Sequence, residues 1–325
     1  MGDGHAGHHH QASSGVRRLS IALVIVAAIM VAEFVGGLLS NSLALLGDAG
    51  HMLVDALALG ISLLAIRIAR RPATATRTFG YHRVEIMAAL TNGVILGLVA
   101  AYIFYEAYQR FLDPPEVRTT LMLVVGGIGL VANLCAMWLL GKVRNDNLNM
   151  KAAFWHVFGD TISSLGVIVG GVVIAVTGWG MADPIIAVLI GCIILWGAVR
   201  LVRESADILL EAAPKHIQID EVAGMIMGIP GVKDVHDMHV WTITSGIHAL
   251  SAHLLIEDQT VAKSGEIARA VNQDLAQRFN ITHTTLQLEC EKCEGCPAGL
   301  MCNIARREVP ADLGLVDVNE FRLIQ

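Results

Sequence analysis

Residues 49–60 read AGHMLVDALALG, an apolar run in which His51 and Asp55 are the ionisable side chains. A second run, AAFWHVFGDTISSLG, repeats the pattern with His156 and Asp160. The spacing of four places both side chains of each pair on one helix face, one turn apart. Ionisable residues inside a membrane segment are costly and by default mark a site or a pathway. The two stretches therefore predict a helical membrane protein with one site built from two helices.

The two pairs together supply two imidazole nitrogens and two carboxylate oxygens, a donor set that suits tetrahedral zinc. One such residue could be explained by a hydrogen bond between helices, but two matched pairs are harder to explain in that way. We therefore predict that His51, Asp55, His156 and Asp160 form a transport site for a divalent cation, with zinc favoured. Asp48 lies one turn before His51 and is predicted to support or gate this site.

Three further polar residues lie in apolar runs: Glu33, Asn92 and Asn133. Each could line the same cavity, and a purely structural role explains each equally well. The chemistry of the site also suggests how transport is driven. Histidine and aspartate bind metal in their deprotonated forms, so an arriving cation expels protons. A site that faces alternate sides would thereby link metal and proton movement, although the sequence leaves potassium exchange open.

The composition is that of a membrane protein. The chain has 325 residues, of which 54% are hydrophobic and 16% are charged, against roughly 25% charged residues in soluble proteins. Six apolar runs are near or above the ~20 residues that a helix needs to cross a bilayer. The N-terminal lead is polar and the run after it is too long for a cleavable signal peptide. The six predicted spans are residues 19–39, 42–68, 83–110, 118–141, 150–177 and 182–203.

Basic residues predict the orientation of these spans. They collect before the first span, after the second, after the fourth and after the sixth, whereas the opposite side carries only Arg110 and Arg118. This asymmetry places both termini in the cytoplasm. The membrane would be the inner, or plasma, membrane in a bacterium. Residues 1–18 form a predicted flexible segment whose four histidines could collect metal, or could equally be a disordered lead without function.

From about residue 209 the composition becomes that of a soluble domain. The pattern predicts a helix, a β-hairpin with its turn at Thr244-Ser245-Gly246, an amphipathic helix and a third strand, an α+β module. The predicted organisation is a His-rich segment (1–18), a six-helix transmembrane domain (19–205), a cytoplasmic metal-binding domain (209–290) and a cysteine-containing tail (291–325).

The predicted sheet and the tail carry a second group of metal-binding residue types. The strands hold His236, His239, His253, Glu257, His283, Gln287 and Glu289. Period-2 alternation places His253 with Glu257, and Gln287 with Glu289, on one side of their strands, although such a face could simply be solvated. Cys290, Cys293 and Cys296 follow with C-x2-C-x2-C spacing, and Cys302 comes later. Disulfides are disfavoured in the cytosol and Cys302 is badly spaced for an iron–sulfur cluster, so Cys293 and Cys296 are predicted to bind zinc.

The blocks LLGDAGHMLVDALAL, RTFGYHRVEIMAAL, HVFGDTISSLGVI, DPIIAVLIG and HDMHVWTITSG resemble those of the cation diffusion facilitators, the family of zinc exporters and zinc/cadmium/cobalt resistance proteins. The likeness extends from about residue 17 to 290. It implies a homodimer of six-helix protomers with a cytoplasmic ferredoxin-like domain. It further implies zinc efflux by proton antiport through alternating access.

By position, His51, Asp55, His156 and Asp160 match that family's transport-site ligands, and a histidine at the first position is similar to its zinc-preferring branches. His236, His253 and Glu289 resemble the ligands of its regulatory cytoplasmic metal. The long His-rich cytoplasmic loop of some members is missing, since residues 142–151 are too short.

Other functions fit the sequence less well. Two imidazoles argue against manganese or magnesium, which prefer oxygen ligands, whereas cobalt and cadmium stay as alternative cargoes. An intramembrane metalloprotease would carry His-Glu-x-x-His, which is absent from the sequence. A membrane-bound metal sensor would use the Cys/His tail but would not explain the two matched pairs. The sequence thus predicts a secondary active transporter and not an enzyme.

Overall fold

The computed structural model describes residues 6–141, 148–290 and 300. The chain divides into two compact units at Leu210 and Glu211, called here the helical unit and the C-terminal unit. The helical unit contains six helices: α1 (Ala6–Ser40), α2 (Leu43–Ala69), α3 (Arg83–Leu112), α4 (Thr119–Gly141), α5 (Leu148–Thr177) and α6 (Ala182–Leu209).

Five helices of the described chain, α2 to α6, are long and apolar enough to cross a membrane, as five of the six predicted spans require. The apolar part of α1 is shorter, Val24–Ser40. This helix begins at Ala6, so most of the segment 1–18 that the sequence predicts to be flexible is helical. Since no proline interrupts residues 6–40, a helix nucleated in the apolar run can propagate towards the N-terminus.

The start of α2 is fixed by buried polar groups from two other parts of the chain. The Ser42 hydroxyl caps the helix by accepting a hydrogen bond from the Leu45 amide (3.2 Å). Asp183, at the start of α6, accepts from the Leu43 amide (2.7 Å) and from the Ser42 hydroxyl (2.5 Å). A carboxylate is favoured here because the first amides of a helix have no partners within the helix.

Arg110 at the end of α3 completes this network. One of its guanidinium nitrogens lies 3.3 Å from Asp183 Oδ2 and donates to the backbone oxygen of Asn41 (2.7 Å). Both charged side chains are nearly inaccessible to solvent, with exposed fractions of 7% and 0%. The network ties α2, α3 and α6 together at one end of the helical unit and so sets the position of α2, which carries His51 and Asp55.

We expect Asp183→Ala to destabilise the helical unit strongly. The change leaves Arg110 buried without its carboxylate, and breaking a buried ion pair in this way typically costs about 3–5 kcal/mol. The measurement is the thermal unfolding midpoint of the purified protein in detergent. The control is Glu106→Ala, which removes a part-exposed partner of Arg110 at 3.3 Å and should cost under ~1 kcal/mol. Equal midpoints for the two variants would contradict this role of Asp183.

The C-terminal unit contains α7 (Ile219–Met227), β1 (Val232–Thr244), β2 (Ile247–Ile256), α8 (Val261–Phe279) and β3 (Ile281–Glu289), in the predicted α-β-β-α-β order. The three strands form one sheet with the order β1-β2-β3. β1 and β2 pair antiparallel across a tight turn, and β3 returns through α8 to pair with β2 in parallel. Asn280 ends α8 in the left-handed conformation (φ 54°) that asparagine tolerates.

The two faces of this sheet differ in polarity. One face contributes Val235, Met238, Leu250 and Leu254 to an apolar core shared with α7 and α8. The alternation of side chains along a strand then sends the intervening residues to the other face. His236 on β1 pairs directly with His253 on β2. The two imidazoles are therefore cross-strand neighbours on the face away from the core.

Candidate metal centres

The four residues of the paired motif meet between α2 and α5. The Asp55 carboxylate lies between the two imidazoles: its Oδ2 atom is 3.4 Å from His51 Nε2 and 3.6 Å from His156 Nε2. Asp160 Oδ2 is 3.7 Å from His156 Nε2. The four side chains therefore form one continuous group of nitrogen and oxygen atoms, two residues from each helix.

These separations suit a small tetrahedral cation. Zinc binds nitrogen and oxygen ligands at about 2.0–2.1 Å, which places neighbouring ligand atoms of a tetrahedron about 3.3 Å apart. Three of the separations among these donor atoms, 3.4, 3.6 and 3.7 Å, exceed this value by about 0.1–0.4 Å. The set is not fully closed, because no three of its four residues have donor atoms that all lie within 4.8 Å of one another. Asp160 Oδ2 is buried and has no hydrogen-bond partner in the described part of the chain. An orphaned carboxylate oxygen next to imidazoles is an electrostatically favourable position for a dication.

Two cavities border this group. One, of about 110 Å³, is lined by Asp55 and His156 together with Met30 and Met52. The other, of about 320 Å³, is lined by His51, His156 and Asp160 together with apolar residues of α6. The side-chain exposure falls from 45% at His156 to 2% at Asp160. The group is thus reachable at one end and enclosed at the other.

Asp48 lies close to this group but is fully buried. Its Oδ2 atom accepts a hydrogen bond from the Ser164 hydroxyl (3.1 Å), and Ser164 in turn accepts from the Asn133 side-chain amide (3.1 Å). Asp48 therefore connects α2 to α5 and α4 behind the ligands. Glu33 is fully buried as well, whereas Asn92 is part-exposed and lines neither of the two cavities.

A second cluster lies on the polar face of the sheet. Glu289 Oε1 is 2.8 Å from His253 Nδ1, and Glu289 Oε2 is 3.2 Å from His236 Nε2. One donor atom from each of the three residues lies within 4.8 Å of the other two. The exposed fractions are 9% for His236, 10% for Glu289 and 20% for His253.

The orientation of these atoms favours a metal over a hydrogen-bonded cluster. His236 Nε2, His253 Nδ1 and Glu289 Oε2 are close together, yet none has a partner in hydrogen-bond geometry among the described residues. Two imidazole nitrogens and a carboxylate oxygen are three of the four ligands of a common zinc site. The residues therefore fit a zinc ion, with a fourth position left for another ligand.

Comparison with known proteins assigns the chain to a family. The family model described as the cation efflux transmembrane domain matches residues 19–210, and the one described as the cation efflux protein cytoplasmic domain matches residues 214–291. The chain belongs to the cation efflux family, the cation diffusion facilitators. It is accordingly an integral membrane protein and a transporter, with a helical membrane domain and a cytoplasmic domain that contains a small sheet.

Three relatives are similar to this family member over most of their length. The metal cation efflux system protein CzcD of Cupriavidus metallidurans is 44% identical over 294 residues, which cover 90% of this chain and 93% of that protein. The cadmium, cobalt and zinc/H⁺-K⁺ antiporter of Bacillus subtilis is 40% identical, covering 88% and 92%. The zinc transporter ZitB of Pectobacterium atrosepticum is 40% identical, covering 88% and 89%.

In this cation diffusion facilitator, the cluster on the cytoplasmic sheet has a further acidic neighbour, Asp237, which the sequence did not predict. Asp237 has a positive φ of 48° at a register shift in β1 between His236 and His239. This bulge brings the Asp237 carboxylate to 3.1 Å from His239 Nε2 and 3.7 Å from His253 Nε2. His253 therefore has a carboxylate beside each ring nitrogen. Strict alternation of side chains along β1 would place Asp237 on the opposite face from His236, so the sequence pattern does not predict this arrangement. The indication that the sequence does contain is an aspartate directly after His236.

Of the other residues predicted at this site, Gln287 lies next to the cluster, whereas Glu257 and His283 lie outside it. Gln287 lies on the polar face and donates to Glu289 Oε1 (2.7 Å), as alternation predicts. Glu257 follows the end of β2 at Ile256 and is not part of the three-residue cluster, because the strand stops before the alternation reaches it. His283 pairs with Ala249 at the start of β3, away from the cluster. Cys293 and Cys296 lie outside the described residues, so their role as ligands stays a prediction.

His248 is a separate histidine of β2 that stays buried, with its Nδ1 atom 3.2 Å from the Thr242 hydroxyl. Burial, and secondarily the His216 imidazole with its centroid at 5.2 Å, lower the pKa of His248. The unfolded chain binds a proton at this residue near pH 6.5, whereas the folded chain resists it. The free energy of unfolding therefore decreases as pH falls below about 6.5, until the lowered pKa is reached.

We expect His248→Gln to reduce this acid sensitivity, because glutamine preserves a polar partner for Thr242 and does not titrate. The measurement is the thermal unfolding midpoint between pH 7.5 and pH 5, in a chelator so that metal binding to other histidines does not contribute. The midpoint should fall less steeply with acidification in the variant than in the wild type. An identical pH slope in both proteins would show that His248 does not contribute.

Proposed function

We propose that this chain exports a divalent cation, with zinc preferred, in exchange for protons. The observation that carries the proposal is the convergence of His51, Asp55, His156 and Asp160 at 3.4–3.7 Å between two apolar helices. A mixed set of two nitrogens and two oxygens favours zinc over harder dications. The names of the relatives support this choice, since they include a zinc transporter and a cadmium, cobalt and zinc antiporter. Cadmium and cobalt are the alternative cargoes.

The proton coupling that we propose follows from the ligands themselves. Neutral imidazoles and ionised carboxylates bind zinc, so each binding event displaces the protons that those groups carry beforehand. Asp55 is central to this exchange because a single oxygen contacts both imidazoles. Release of zinc on the far side would let the same groups take up protons there. The protein would then act as a secondary active transporter, without a separate proton pathway.

We further propose that the site opens to alternate sides. Two distinct cavities meet at His156, one between α2 and the α1/α4 side and one towards α6. A relative movement of α2 and α5 against neighbouring helices would enlarge one cavity and close the other, as in alternating-access carriers. In this proposal Asp48, which links α2 to α5 through Ser164, supports the ligands from behind and moves with them.

The membrane topology and the assembly of the protein are also part of what we propose. We place six spans in the membrane, with α1 as the sixth, both termini in the cytoplasm, and the inner membrane as the location in a bacterium. The cytoplasmic domain is proposed to be ferredoxin-like, to pair in a homodimer and to hold zinc through His236, His253 and Glu289. The apolar stretch of α1 supports the sixth span, and the α-β-β-α-β order with its parallel β2–β3 pair supports the ferredoxin-like fold.

Cys293 and Cys296 are proposed to complete the cytoplasmic zinc site. Described residues before and after them contact β1 and β3 of the sheet. Glu289 is one of the three grouped residues, and the Leu300 carbonyl accepts a hydrogen bond from the Met238 amide (2.8 Å), next to Asp237 in β1. Since three ligands leave one tetrahedral position, the thiolate of either Cys293 or Cys296 would fill it. Such a site also fits a metal sensor, but a sensor alone does not account for the intramembrane pairs.

The test of the cargo is transport by the purified protein in proteoliposomes with an internal zinc dye and an internal pH dye. Wild-type protein should move zinc with an opposing proton flux, and Asp160→Ala should lose both. Cadmium and cobalt are run as competing cargoes, and the lowest half-saturating concentration is expected for zinc. Normal zinc flux in Asp160→Ala would show that the paired motif is structural and would remove the basis of the proposal.

A further inference from the structure

A second polar group lies beside the zinc ligands and is more deeply buried. Glu33 of α1, Asp48 of α2, Asn133 of α4 and Ser164 of α5 each have an exposed fraction of 0%. The Ser164 hydroxyl donates to Asp48 Oδ2 and accepts from Asn133 Nδ2, both at 3.1 Å. These two hydrogen bonds fix the Asn133 amide with its nitrogen towards Ser164. They therefore leave the Asn133 carbonyl oxygen free.

Glu33 is held against the same group by a close helix contact. Gly129 lies one helical turn before Asn133 on α4, and a Cβ atom on Gly129 would collide with Glu33 Oε1. The glycine therefore makes the space that the carboxylate occupies. The Glu33 carboxylate is also within electrostatic range of Asp48 and Asp160. Four helices thus direct polar side chains to one enclosed region.

Four oxygens in this region have no hydrogen bond of good geometry in the described chain: Glu33 Oε1, Glu33 Oε2, Asp48 Oδ1 and Asn133 Oδ1. The Ser163 hydroxyl lies near enough to Asp48 to interact with its carboxylate. Burying a carboxylate without a partner is costly. A cation that contacts several of these oxygens satisfies them together.

We propose that Glu33, Asp48 and Asn133 form a binding site for an alkali-metal cation, sodium or potassium, distinct from the zinc site. Oxygen ligands without nitrogen or sulfur select hard cations. Magnesium usually keeps several of its waters. Glu33, Asp48 and Asn133 line neither of the two cavities beside the zinc ligands, so these cavities do not provide room for such waters at the proposed site. If the proposed antiport holds, the bound ion is positioned to act as a counter-ion, but the binding itself does not depend on the cargo.

The experiment measures binding of ²²Na⁺ and ⁸⁶Rb⁺, the latter in place of potassium, to the purified full-length protein in zinc-free, chelator-containing buffer. Wild-type protein should show saturable binding that excess unlabelled Na⁺ or K⁺ displaces. Glu33→Gln preserves the side-chain size and should weaken the affinity at least tenfold, while zinc binding stays within threefold of wild type. Glu106→Gln, which changes a carboxylate of α3 outside this group, is the matched control and should bind as wild type does.

Several results would overturn the inference. These are no saturable alkali-cation binding by the wild type, unchanged binding in Glu33→Gln, or tighter binding of Ca²⁺ or Mg²⁺ at the same residues. Loss of alkali binding in His51→Ala with full retention in Glu33→Gln would place the ion at the zinc site instead. If Glu33→Gln does not fold, Asn133→Ala decides the question, because it removes one free oxygen and no charge; wild-type affinity in that variant overturns the inference equally.

Discussion

Replacing Asp55 with asparagine is expected to reduce zinc flux by on the order of 100-fold or more. Removing a group that only supports a metal ligand costs 10–100-fold, and Asp55 is placed to be a ligand itself. Its Oδ2 atom is the one that contacts both imidazoles, at 3.4 and 3.6 Å. Asparagine has nearly the same shape but carries no negative charge, so the two imidazoles lose the anion that balances a bound dication. The measurement is the initial rate of zinc uptake in proteoliposomes.

Two controls separate this loss of charge from misfolding. Asp113→Asn makes the same change at an exposed position after α3 and should transport at the wild-type rate. The Asp55→Asn protein should also elute as wild type does in size-exclusion chromatography and keep its zinc-dependent stability from the cytoplasmic site. A variant that folds correctly and retains more than about a tenth of the wild-type rate would be incompatible with a central ligand at this position.

The helical part of the fold was largely predictable because apolar runs of bilayer length leave few alternatives. The paired spacing of His51 with Asp55 and of His156 with Asp160 predicted which faces of α2 and α5 would turn towards each other. The helical start of α1 at Ala6 was not predictable, because histidine, serine and glycine in that segment have low helix propensity. A helix continued from the adjacent apolar run overrides that local preference.

The polar network behind the ligands was only partly visible in the sequence. Glu33, Asp48 and Asn133 each stand out in apolar runs, but nothing in their spacing relates α1, α2 and α4 to one another. Ser164 joins Asp48 to Asn133, and a serine in a membrane helix gives no signal of its own. The role of Gly129, which is to leave space for the Glu33 carboxylate, also cannot be predicted from the sequence, because it depends on how α1 packs against α4. Long-range helix packing supplies this information.

The cytoplasmic cluster shows a different limit of sequence reasoning. Alternation along β2 and β3 places His253, Gln287 and Glu289 on one face. The bulge at Asp237 breaks the alternation on β1 and places a second carboxylate beside His253. Bulges depend on one backbone conformation that few sequences signal clearly. The sequence therefore predicted the residue types that could bind metal, but it did not predict that Asp237 lies beside them.

The second large effect is expected at this cluster, where His253→Ala should remove one tightly bound zinc ion per chain. His253 contacts Glu289 at 2.8 Å, and its ring centroid is 5.4 Å from that of His236. Its loss leaves one imidazole and one carboxylate among the described ligands, and a single thiolate from the tail would bring the set to only three of the four that a structural zinc site needs. The measurement is a zinc titration against a competing chromophoric chelator, in an Asp55→Asn background so that the transport site does not contribute.

The matched control for His253→Ala is His283→Ala, an exposed histidine of β3 outside the cluster, which should leave the zinc count unchanged. Stability provides an independent measurement, because a ligand that binds only the folded state at 100 times its dissociation constant stabilises by about 2.7 kcal/mol. Zinc should therefore raise the unfolding midpoint of the Asp55→Asn protein and of the His283→Ala variant, but not that of His253→Ala. If zinc stabilises all three equally, the metal is held elsewhere in the domain. A loss confined to His253→Ala would instead show that zinc holds β1, β2 and β3 together on the face that carries no core.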